Sequence, residues 1–166
     1  MNGGVFDEQD PVKLYVPKRE RREHFATDAR APIGVFDSGV GGLTVVRELM
    51  RQIPDERMVY FGDTARLPYG AKSRDTVIRY SRQIVRFLKT KGVKAIVIAC
   101  NTASSHALKT LAEENDIPVI GVIYAGALSA VRATENGRIG VIGTRGTVSS
   151  EIYPKVIESL APGLRV

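Results

Sequence analysis

From Ile33 onward, short β-branched runs alternate with stretches of helical periodicity, and this alternation restricts the fold more than any other feature. The strongest run is KAIVIAC at 94–100, bounded by Gly92 and Asn101. A run apolar on both faces belongs in the middle of a parallel sheet covered by helices. IGVFD (33–37), MVYF (58–61), PVIGVI (118–123) and RIGVIG (138–143) read as further strands. Between them the spacing predicts helices. One follows the glycine turn, with Val46, Leu49, Met50 and Ile53 on one face. Another covers 73–91, with Val77, Ile84 and Leu88 inward and Gly92 as its stop signal. Three more are expected over 102–114, 125–134 and 149–160. Strands alternating with helices predict an α/β fold: a doubly wound parallel sheet, Rossmann- or flavodoxin-like.

Residues 1–31 differ from this body. They carry six acidic and six basic side chains, with little apolar periodicity. Such a segment buries too little apolar surface to offset its ordering entropy, so a disordered extension is expected there. The expected division is that extension over 1–31, a first α/β lobe over 32–124, and the incomplete start of a second, similar lobe over 125–166. The whole net charge of +6 therefore lies in the body. It suits an anionic ligand or a solvated basic surface. No nucleic-acid-binding motif accompanies it. No apolar run approaches the roughly 20 residues that span a membrane. No secretory signal is visible, and the single cysteine fits a reducing cytoplasm.

Ligands of open α/β sheets bind beyond the carboxyl ends of the strands. Asp37-Ser38, the loop 62–72, Cys100-Asn101-Thr102 and Thr144 stand at those ends. Cys100 lies between a buried strand and a helix start, where the helix field favours a thiolate. The alternative is a small buried residue that ends a strand. Asp37 is either a brace for the glycine turn or a carboxylate aimed into the cleft. In the loop, Pro68 and Gly70 fix the backbone, so that N–H groups and the Tyr69 edge can face a ligand. His106 reads as a packing or surface residue. GVGGLT (39–44) offers two glycines of a dinucleotide pattern but has Thr44 at the third position. A nucleotide-binding α/β domain is thus a second reading, opposed by the carboxylate of Asp37 beside the supposed phosphate.

Four motifs occur in order: IGVFDSGVGGLTV, YFGDTARLPYG, VIACNTAS and IGVIGTRGTVSS. Together they resemble the glutamate racemases of the aspartate/glutamate racemase family, from about Ile33 to at least Tyr153. The resemblance implies racemisation of L- and D-glutamate without cofactor or metal, by two thiols on opposite faces of the α-carbon. It implies a bacterial cytoplasmic enzyme, a homodimer when full-length, that supplies D-glutamate for peptidoglycan. Cys100 matches the first catalytic thiol, and Asp37 matches the neighbouring carboxylate that contacts the substrate amino group. Ser38, Tyr69 and Gly70 match substrate-binding positions, with Pro68 shaping their loop. Asn101 and Thr102 match the pair at the substrate carboxylate, and Thr144 and Thr147 match threonines that help bind substrate. The family's second cysteine, in a Cys-Thr-His motif, has no counterpart here. A fragment or a degenerate relative, inactive alone, is therefore expected. A non-catalytic module that binds glutamate or a protein is the alternative.

Overall fold

The computed structural model describes residues 28–166. The extension expected over 1–31 thus falls mostly outside the described residues. Four strands form one parallel sheet: β1 (Ile33–Asp37), β2 (Met58–Gly62), β3 (Ala95–Ile98) and β4 (Val119–Gly121), in the order β2-β1-β3-β4. Chain direction across this sheet reverses its winding between β1 and β3. In a doubly wound sheet that is the switch point, where the strand ends open into a crevice.

Six helices accompany the strands: α1 (Leu43–Gln52), α2 (Arg74–Lys89), α3 (Asn101–Glu114), α4 (Ile123–Ala133), α5 (Arg145–Ser149) and α6 (Ile152–Leu160). Successive residues of β1 serve opposite faces, as the pleat requires. Phe36 joins the larger core with Leu88 of α2 and Leu111 of α3, whereas Val35 packs toward α1 with Val97 and Ala99. The sheet is therefore covered on both sides, and the doubly wound expectation holds. Full burial of a side chain such as Leu88 stabilises by about 1.5–3 kcal/mol, and most of the large buried side chains lie on the α2/α3 side. A separate cluster joins α4 and α6 through Ile123, Ala127, Val156 and Ile157.

Local signals explain the boundaries. The Ser73 hydroxyl accepts from the Thr76 amide at 3.3 Å and starts α2. Gly92, with φ +68°, lets the chain leave it. The stripe expected on α1 is only partly used. Val46 and Leu49 pack on the sheet, while Met50 stays 59% exposed, because this face offers just three buried partners.

One expected strand is absent and one short helix is added. RIGVIG at 138–143 is not a strand: Arg138 makes a lone bridge parallel to Arg165, the Ile139 amide donates to the Arg165 carbonyl at 2.8 Å, and no sheet pairing extends over 140–143. Its Ile142 is 99% exposed. The helix expected over 149–160 is present as α6, and the short α5 precedes it. Glu151 separates them in the left-handed region at φ 55°, a conformation costing a non-glycine residue about 1–2 kcal/mol.

Candidate active site

The crevice at the switch point is a cavity of about 830 Å³. Asp37 and Ser38, Cys100 to Thr102, Thr144 and Thr147 border it, and of the loop 62–72 only Leu67 to Gly70 do. Among the described residues, no group of His, Cys, Asp and Glu is placed to hold a metal ion.

Asp37 closes β1 and is buried. One carboxylate oxygen accepts from the Gly42 amide at 2.9 Å, and the other faces the Ser38 hydroxyl at 3.5 Å. Glycine is needed at 42 because a Cβ there would come within 2.7 Å of the Asp37 Cβ and 3.0 Å of the Ala99 Cβ. The turn thus wraps a carboxylate. The amide a bound phosphate would use is already taken by a negative group, which weighs against the dinucleotide reading of GVGGLT.

Cys100 lies two residues beyond the end of β3, 6% exposed. It is the N-cap of α3: its Sγ accepts from the Ala103 amide at 3.5 Å, and its thiol lies 3.3 Å from the Ser38 hydroxyl. An anionic sulfur there meets the free amides and the positive end of α3. Ser38 links the two strand ends, since it contacts both Asp37 and Cys100. Nearby, the Tyr60 hydroxyl donates to the Gly39 carbonyl at 3.1 Å. Burial, and then the charges of Asp37 and Cys100, push its phenol up from the ordinary value.

The opposite side carries hydroxyls. Thr102 of α3 lies 2.7 Å from the Thr144 hydroxyl and 3.3 Å from that of Thr147, and the latter two are 3.1 Å apart. Thr144 is itself the cap of α5, accepting from the Thr147 amide at 3.3 Å. The loop backs onto this cluster so closely that a Cβ on Gly70 would sit 2.3 Å from the Thr144 Cβ.

Tyr69 behaves differently from the expectation that it shows a polar edge to a ligand. It is 1% exposed, and its hydroxyl donates to the buried carboxylate of Asp63. What the residue offers the cavity is backbone and ring. Asp63 also pairs with Arg66 at 2.8 Å, and the Arg66 guanidinium stacks 4.3 Å from the Tyr80 ring centre. Burial first, and then the bond to Asp63, push the Tyr69 phenol far above its usual range. Asp63 and Arg66 were invisible as site supports in the sequence, although their i, i+3 spacing of opposite charges was a usable sign.

On the far side, the Tyr153 hydroxyl of α6 donates to Asn101 Oδ1 at 2.7 Å. Sequence reasoning assigned Tyr153 no part in the site. His106 lies one turn into α3 and is half-buried. Burial and then the charge of Arg74 hold its imidazole below the ordinary value.

A thiol, a carboxylate and a set of hydroxyls around a crevice at helix starts suit proton transfer at a carbon next to a carboxylate. The sequence model described as Asp/Glu/Hydantoin racemase matches residues 33–166. The glutamate racemase of Streptococcus sanguinis strain SK36 is 57% identical over 135 residues, which are 81% of this chain and 51% of the relative. That of Oceanobacillus iheyensis is 54% identical over 134 residues, 81% of this chain and 49% of the relative. The chain thus spans about half the length of the curated relatives it matches. Among solved structures, a glutamate racemase isoform of Bacillus anthracis superposes with TM-score 0.81 at 48% identity, covering 84% of this chain and 52% of that one. The Francisella tularensis enzyme, solved with D-glutamate, gives TM-score 0.74 at 46% identity, covering 82% and 51%. Because the family model covers most of the chain, residues 33–166, the chain belongs to the Asp/Glu/Hydantoin racemase family.

Proposed function

We propose that this chain forms one half of the active site of a cofactor-independent glutamate racemase. The observation that carries the reading is the Cys100 sulfur at the start of α3, beside Ser38 and next to the buried carboxylate of Asp37. In this reading the Cys100 thiolate removes the α-proton from one face of glutamate. Asp37 holds the substrate ammonium group and assists the transfer. The hydroxyls of Thr102, Thr144 and Thr147, with the Asn101 amide, hold the substrate carboxylate, and Pro68 to Gly70 close over it with backbone groups. Charge developing on the α-carbon and its carboxylate is stabilised by these preset dipoles and by exclusion of water.

One thiol serves one face. Racemisation needs a second donor opposite Cys100, and Cys100 is the sole cysteine of this sequence. The proton for the far face therefore comes from outside these residues. Residues 125–166, with their own α4/α6 cluster, are read as the beginning of a second lobe that bears on the crevice. In the whole protein the activity supplies D-glutamate for peptidoglycan in the cytoplasm, and the enzyme pairs as a homodimer.

The test is deuterium exchange at the α-carbon of L- and D-glutamate in heavy water, followed by NMR. Washout from one enantiomer only, lost in Cys100→Ala, is the expected result. Exchange that persists in Cys100→Ala refutes the role of Cys100. Binding of glutamate without exchange from either enantiomer favours the second reading, a binding module, for which the single cysteine is the supporting observation.

A further inference from the structure

Asn101 follows the thiol directly and borders the crevice, so the direction in which its amide points decides what it offers a ligand. An asparagine amide has an acceptor end and a donor end, and its neighbours determine which faces which way. Here the acceptor end is engaged. The Tyr153 hydroxyl, 52 residues further along the chain, donates to Oδ1 at 2.7 Å. Among the described residues no acceptor takes the Nδ2 hydrogens, and two N–H donors are left for the cavity.

The surroundings are built for this contact. Tyr153 lies in the first turn of α6, with its ring against the α4/α6 cluster. To reach Asn101 it passes α4 at Gly126, where a Cβ would lie 2.9 Å from the Tyr153 oxygen. A bulkier residue at that point would displace the hydroxyl. Burial raises the phenol's pKa, so it stays a donor throughout the ordinary pH range. The bond also crosses between the two cores, from the α4/α6 cluster to the start of α3.

We infer that Tyr153 is a positioning residue: it fixes the Asn101 amide with its donors toward the carboxylate of a bound amino acid, and it ties that setting to the placement of α6. The ligand part rests on the proposed glutamate site; the amide orientation does not. A tyrosine that merely packs α6 would affect stability alone. A positioning tyrosine acts through Asn101.

The experiment uses the full chain labelled with nitrogen-15, as wild type, Tyr153→Phe, Asn101→Ala and the double variant. Phenylalanine keeps the ring and removes only the hydroxyl. Two quantities are read: the side-chain amide resonances and relaxation of Asn101, and glutamate affinity by titration. Tyr153→Phe is expected to move the Asn101 amide signals toward those of a mobile, solvated side chain. It is also expected to weaken glutamate binding by about fivefold, the effect of one lost hydrogen bond. In the Asn101→Ala background the same change should cost nothing more. Unchanged Asn101 amide signals in Tyr153→Phe overturn the inference. So does an equal penalty in both backgrounds, which would mean that Tyr153 acts on the fold. Should wild type bind no glutamate, the proposed function fails, while the amide signals still decide the orientation.

Discussion

Replacing Gly70 with alanine tests how tightly the loop 62–72 is seated on α5. An added Cβ would lie 2.3 Å from the Thr144 Cβ, 2.6 Å from its Cγ2 and 2.8 Å from its Oγ1. Carbon atoms pack at about 3.5–4.0 Å, so loop and helix must part by roughly an ångström. Gly70 lies in a 3-10 turn and has no positive φ. Without the clash, alanine would therefore stabilise by about 0.4–1 kcal/mol through the unfolded chain. Overpacking costs about 1–3 kcal/mol, and the net expectation is a loss of about 1–2 kcal/mol in urea unfolding. The control is Thr144→Gly, which removes all three clashing atoms. As a cap, glycine gives up only a few tenths of a kcal/mol, although the hydroxyl contacts go too. In that background Gly70→Ala should be neutral or stabilising, a coupling of about 1–3 kcal/mol. Equal losses in both backgrounds, or a stabilised Gly70→Ala in wild type, would refute the steric reasoning.

Two pH dependences follow from the site. The folded chain keeps the Tyr69 proton that the unfolded chain loses near pH 10, so this residue's stabilisation is intact below about pH 10 and falls as pH rises beyond it. Tyr69→Phe should flatten that fall, shared with Tyr60 and Tyr153, and cost about 1–3 kcal/mol near neutrality by leaving buried Asp63 one donor short. Urea midpoints measured near pH 8 and pH 10.5 check both parts. His106 works in the opposite sense: its lowered pKa makes its contribution full above about pH 6.5 and lost as pH falls. His106→Asn should shrink the drop in urea midpoint between about pH 7.5 and pH 5.5, and an unchanged drop would place the acid sensitivity elsewhere.

Much of the architecture was legible because β1 and β3 are apolar on both faces and the helices between them are periodic. The candidate site was legible for a related reason. In this topology reactive residues gather at and just beyond strand ends; Asp37 ends β1, and Cys100 follows the neighbouring β3 as the cap of α3. What escaped depended on contacts distant in sequence. A strand needs a neighbour, and beyond the bond from the Ile139 amide to the Arg165 carbonyl no sheet pairing covers 140–143 among the described residues. The break at Glu151 carries no glycine to announce a left-handed turn. The Tyr69–Asp63 and Tyr153–Asn101 bonds depend on how a loop folds back and on where α6 lands against α3. Composition and periodicity say nothing of either.

The pairing of β1 with β3 has a consequence for how such a site varies. Four consecutive backbone pairs, Ile33 with Ala95 through Phe36 with Ile98, fix the two strands against each other. Asp37 closes β1, and Cys100 comes two residues after the end of β3, past Ala99, whose amide donates to the Phe36 carbonyl, so their spacing follows from a hydrogen-bonded ladder more than from side-chain fit. The loop 62–72 and the start of α6 enter from outside that ladder. Changes in those two segments can therefore reshape the crevice, while the distance between the carboxylate and the thiol stays as constant as the pitch of the sheet.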